Sequence, residues 1–133
     1  MRFYMRFASC LLLVGLGVMA GCSSLNTSKS FRDLPLEKGK QTVCHMNASV
    51  SGLYFLGKFP LITGNTDQPG SWIPAFGRDT ASLSETTDMV AGTAKEGGAT
   101  ELNCVVSSSG KIWIVPTFVL FWKTQTISAS AVK

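Results

Sequence analysis

Thr42-Val43-Cys44-His45-Met46-Asn47-Ala48-Ser49-Val50-Ser51 alternates without a break. Cys44, Met46, Ala48 and Val50 share one side; His45, Asn47 and Ser49 share the other. A period of two suits a pleated strand with one face buried and the other wet. The pattern returns in residues 100–107, where Leu102, Cys104 and Val106 oppose Glu101, Asn103 and Val105, with Ser107-Ser108-Ser109-Gly110 reading as the turn after it. It returns again in residues 124–132, where Ile127, Ala129 and Ala131 oppose Thr126, Ser128 and Ser130.

Between the first two strands the period changes to that of a helix. Ser82-x-x-Glu85 is a capping box, in which the Ser oxygen accepts a free amide and Glu85 reaches back. Leu83, Thr87, Val90 and Ala94 fall on one face, and Gly97-Gly98 stops the helix. One-sided strands and one narrow-striped helix predict an α+β fold. The expected architecture is an antiparallel sheet of three to four strands, with one helix packed on its apolar face, spanning residues 42–133. Residues 63–78, with Gly64-Asn65, Pro69-Gly70, Trp72, Ile73 and Phe76, read as a long loop that packs its own aromatics.

The N-terminus is of another kind. Arg2 and Arg6 precede an uncharged apolar run over residues 7–20. That run is shorter than the roughly 20 residues a spanning helix needs, and it has the form of a secretory signal. Its exit, Met19-Ala20-Gly21-Cys22, resembles the lipobox of bacterial lipoproteins. The resemblance implies cleavage between Gly21 and Cys22 and lipidation of the Cys22 thiol, with three acyl chains in the mature form. One chain gives only reversible binding, at about 0.8 kcal/mol per methylene, so several make a firm anchor. Ser23 in the next position leans toward the outer membrane, facing the periplasm. Residues 1–21 are thus the expected signal peptide, 22–41 the lipidated cysteine and a flexible polar tether, and 42–133 the domain.

This division settles the composition. Twelve Lys and Arg oppose eight Asp and Glu in the whole chain, and losing Arg2 and Arg6 leaves a net charge of +2. No basic run supports nucleic-acid binding. Cys10 leaves with the signal and Cys22 takes lipid, so Cys44 and Cys104 remain. In an oxidising periplasm they form either a disulfide or two free thiols acting as small hydrophobes.

Gly52-Leu53-Tyr54, Pro60-Leu61-Ile62 with Gly64-Asn65, the helix stop Gly98-Ala99 and the closing Ser128-Ala129-Ser130-Ala131-Val132-Lys133 occur in that order. Together they resemble small bacterial lipoproteins of the TRL-like family, over about residues 43–133. The resemblance implies a small α+β envelope domain and brings no catalytic residues.

The residues themselves offer little chemistry. His45 is the single histidine, and no Gly-x-Ser-x-Gly accompanies it. The acids are scattered, and no Cys/His cluster has zinc spacing. No cofactor is expected. The unusual features are two greasy stretches, residues 53–62 and 112–122. They either close the core or expose aromatic surface at one end of the sheet, where Tyr54, Phe55, Phe59, Trp113, Phe118, Phe121 and Trp122 form a contact surface. The expected function is a non-enzymatic envelope interaction or structural module, held to the membrane by lipid and touching a partner protein or a second copy. The alternatives are a small-ligand or metal-binding domain and, behind it, an envelope hydrolase.

Overall fold

The computed structural model describes residues 21–28, 42–114 and 119–133. The expected signal segment up to residue 20, tether residues 29–41 and Phe118 lie outside the described residues.

The alternating stretch opens β2 (Thr42–Phe55), the strand on which the sheet is built. Its helix-side residues Cys44, Met46, Ala48 and Val50 are all buried. β6 (Leu120–Val132) pairs with β2 from Thr42↔Val132 to Phe55↔Leu120, and it brings Ile127, Ala129 and Ala131 to the same buried face. β5 (Glu101–Trp113) covers the far edge of β6. β3 (Phe59–Thr63) turns back from β2 through Leu56-Gly57-Lys58, and the two-residue β4 (Ala75–Phe76) flanks β3. The resulting order is β4-β3-β2-β6-β5, with every pairing antiparallel.

The sheet is larger than expected: it has six strands among the described residues, not three to four. The sixth is β1 (Ser23–Ser28), which lies inside the expected tether and pairs antiparallel with β2, from Ser23↔Val50 to Ser28↔His45. β1 and β3 therefore lie end to end along one edge of β2. A polar segment can do this because strand pairing uses backbone groups that every residue carries. Two further readings are corrected. Ser107-Ser108-Ser109-Gly110 is no turn but the middle of β5, and the loop after β3 contributes β4.

α1 (Leu83–Glu96) covers the apolar face. The Ser82 hydroxyl caps it, accepting from the Glu85 amide at 3.4 Å, and Gly98 leaves it at φ 78°. The Glu85 carboxylate binds Arg78 and Thr66 at 3.0 and 3.2 Å. The buried stripe is Thr86, Met89, Val90 and Ala94, whereas Leu83 is exposed. Thr86 can be buried because its hydroxyl donates to the Ser82 carbonyl at 2.8 Å, within the helix itself. The small residues Ala94, Ala129 and Ala131 meet in the core and permit close helix-on-sheet packing. Fully buried side chains such as Met46, Val50 and Ile127 each contribute about 1.5–3 kcal/mol.

Candidate functional site

The start of β1 is fixed on three sides. The Cys22 carbonyl accepts the Ser51 amide at 2.8 Å, in the second half of β2. The Ser51 carbonyl in turn accepts the Gly64 amide at 2.9 Å, just past β3. Ser23 donates its hydroxyl to the Asn65 carbonyl at 2.5 Å and accepts the Gly70 amide at 3.0 Å. Gly64 makes this closeness feasible: a Cβ there would lie 2.4 Å from the Cys22 carbonyl carbon and 2.6 Å from the Ser23 nitrogen. Ser23 opposes Val50 and is buried on the helix side. Alternation then turns Cys22, like Ser24, toward the open face, and Cys22 is exposed.

That open face has two halves. Around β1 it carries hydroxyls, amides and His45, cross-bonded between strands: His45 Nδ1 to Ser130 Oγ at 3.1 Å, and Ser49 Oγ to Thr126 Oγ1 at 3.3 Å. Beyond Ser51 it becomes apolar. Phe76, Ile62, Leu53, Trp122 and Ile112 are successive cross-strand partners, so one row runs across all five strands from β4 to β5. Four strand spacings make that row about 19 Å wide. Phe59, Phe55 and Leu120 form a second row behind it. Leu53 is buried between Ile62 and Trp122, while Phe76, Phe59 and Ile112 are each at least 60% exposed. In the loop that leads to β4, Trp72 is 89% exposed, two residues beyond the Gly70 that bonds Ser23. The aromatics of the expected loop do not pack on one another, since Trp72, Ile73 and Phe76 are all exposed.

The expected contact residues divide between the two faces. Phe55, Phe59 and Trp122 belong to the open band. Tyr54 does not: it points to the helix side and is fully buried. Its hydroxyl donates to Asp79, and Lys123 Nζ sits 4.5 Å from its ring centre and 3.9 Å from Asp79. Burial, then the Asp79 hydrogen bond and charge, raise the Tyr54 pKa well above the ordinary phenol value. Phe121 shares that face half-buried, with Lys111 Nζ 4.4 Å from its ring centre. Trp113, its partner on β5, is exposed. Sequence reasoning missed Phe76, Ile62, Leu53 and Ile112. Their signal was present as apolar residues, but the row exists only through strand pairing.

Of the two alternatives for Cys44 and Cys104, a disulfide or free thiols, the structure has the second. Cys44 and Cys104 are both free, Cys44 buried and Cys104 exposed. β6 lies between their strands, which separates them by about 10 Å, beyond the reach of a disulfide. A bulge in β5 between Asn103 and Val106, with Cys104 at φ 52°, also breaks the alternation that had put Cys104 on the buried face. A shallow cleft of about 320 Å³ between α1 and the loop after β3 is lined by Asp67, Glu85, Asp88 and Glu96. Arg78 bridges Asp67 and Glu85 there at 2.8 and 3.0 Å. Among the described residues, no group of three or more His, Cys, Asp or Glu is arranged to hold a metal ion, and no helix is long and apolar enough to cross a membrane.

No family model, no curated protein and no solved structure matches the chain.

Proposed function

We propose that this chain is a lipid-anchored protein of the bacterial cell envelope, attached through Cys22 and acting by contact rather than catalysis. One observation carries the reading. The cysteine that ends Met19-Ala20-Gly21-Cys22 is exposed on the sheet, and the apolar band begins one row beyond its partner Ser51. A lipid on that sulfur would leave the protein on the same face as its apolar band. The likeness to TRL-like lipoproteins points the same way, and Ser23 favours the outer membrane, facing the periplasm. His45 adds nothing catalytic: its ring bonds a serine on an open sheet face.

The proposal also implies an order of processing steps. Gly21 is buried, with a hypothetical Cβ 2.5 Å from both the Ser51 carbonyl oxygen and the Thr63 carbonyl carbon. A protease needs that backbone extended and free, so cleavage precedes the docking of β1. Mass spectrometry of the mature N-terminus tests the proposal. The expected species begins at Cys22 and carries a diacylglyceryl thioether and an amide-linked acyl chain. An unmodified Cys22, or a first residue elsewhere, overturns it.

A further inference from the structure

We infer that the apolar half of the open sheet face is a bilayer-docking surface that lies in the headgroup boundary of an anionic leaflet. The inference deepens the anchoring proposal and rests on it for the position of the lipid. Three features of the molecule select a bilayer as the occupant.

First is the geometry of attachment. Because β1 is paired rather than free, a lipid on Cys22 cannot swing the domain away from the membrane. Cys22 faces Ser51, and Leu53 in the band lies two residues further along β2, about 7 Å away. The outermost point of that end, Leu56, is about 17 Å from the anchor level. The sheet can therefore rest on its open face, tilted so that this end enters the boundary while Cys22 stays at the glyceryl level.

Second is composition. Leu56 is exposed and sits at φ 50°, a backbone region where leucine is strained and glycine or asparagine is usual. An exposed leucine at such a turn gains nothing from water and something from lipid. Val119 is its neighbour, its carbonyl accepting the Leu56 amide at 2.6 Å, and it too is exposed. Tryptophan, with an apolar body and a polar tip, favours the headgroup level, and Trp122 lies in the band.

Third is charge. Lys58 sits exposed in the turn after Leu56, at the tip of this end, whereas Lys111 and Lys123 reach the same end from the helix-side face, where Lys123 lies 3.9 Å from Asp79. Asp67, Glu85, Asp88 and Glu96 line the cleft by α1 instead. Lys58 at the tip suits anionic headgroups, and the acids of the cleft stay clear of it.

The test uses the full chain expressed with its own leader, purified and mixed with vesicles of phosphatidylglycerol, with phosphatidylcholine vesicles for comparison. Flotation and tryptophan emission are read with plain and with brominated acyl chains. The expected result is tryptophan quenching of about twofold by bromine in phosphatidylglycerol, with less acrylamide access. A double variant, Phe59→Asp with Phe76→Asp, loses that quenching while keeping its circular dichroism. Lys58→Glu, a milder exposed change, weakens it on phosphatidylglycerol alone. If Cys22 is lipidated but quenching is absent, or equal in the double variant, the docking surface is overturned and the anchor stands. If Cys22 carries no lipid yet the chain still floats and is quenched, the anchor is overturned and the surface stands. Tryptophans shielded from acrylamide in a dimer, without bromine quenching, assign the band to a second copy and overturn the inference.

Discussion

Replacing Gly64 with alanine tests whether β1 is truly part of the sheet. The ideal Cβ at Gly64 lies 2.4 Å from the Cys22 carbonyl carbon, 2.5 Å from its oxygen and 2.6 Å from the Ser23 nitrogen. All three are backbone atoms, so no side chain can rotate away. The backbones must part by about 1 Å to reach ordinary contact. Overpacking of this kind costs about 1–3 kcal/mol. A shift of that size also breaks the 2.8 Å bond from the Ser51 amide to Cys22, worth about 1 kcal/mol. The expected loss is thus about 3 kcal/mol, or about 15 °C in Tm for a domain of this size. If β1 is held by less than that, it leaves the edge instead, and the loss in Tm is smaller. Hydrogen exchange separates the two regimes, because in both the Ser51 amide loses its protection. Gly70→Ala is the control: its Cβ meets nothing within 4 Å, and its φ of 80° adds only local strain of about 1 kcal/mol. Wild-type Tm together with wild-type protection of the Ser51 amide in Gly64→Ala would refute the close packing of Cys22 against Gly64.

Other consequences are separable. Tyr54→Phe removes the hydroxyl bonded to Asp79 and should cost about 1–2 kcal/mol in urea unfolding; an unchanged midpoint contradicts that hydrogen bond. Because folding raises the Tyr54 pKa, its contribution is fully present below the unfolded value of 10.0 and is lost as pH rises from there. Wild type should therefore lose up to about 1.4 kcal/mol per pH unit above pH 10 relative to Tyr54→Phe, and parallel stability curves would exclude this linkage. Gly92→Ala, within α1 and facing open space, should stabilise by about 0.5–1 kcal/mol; thermal unfolding that shows a loss means the site is not open. Cys104 should react rapidly with a thiol reagent while Cys44 stays protected until unfolding; a non-reducing peptide map with a 44–104 link would contradict the strand order.

Local patterns in the chain were enough to read the face alternation of β2 and of the second half of β6, the capped and glycine-stopped helix, and the α+β class. These signals are local, since period and caps are read within a few residues. The reading of the Cys22 exit as a lipobox rests on the same local kind of signal, and the anchor remains the proposal that mass spectrometry tests. The tertiary structure alone decided the rest. Ser23-Ser24-Leu25-Asn26-Thr27-Ser28 carries no strand pattern, because its pairing depends on backbone groups and on an open β2 edge some twenty residues away. The bulge at Cys104 shifts which β5 side chains face the helix, and no residue type announces it. Tyr54 and Phe55 look alike in a greasy run, yet the pleat sends one under the helix to Asp79 and the other to the open face. The row from Phe76 to Ile112 exists only because five strands share one register, and register is a property of pairing rather than of any single strand.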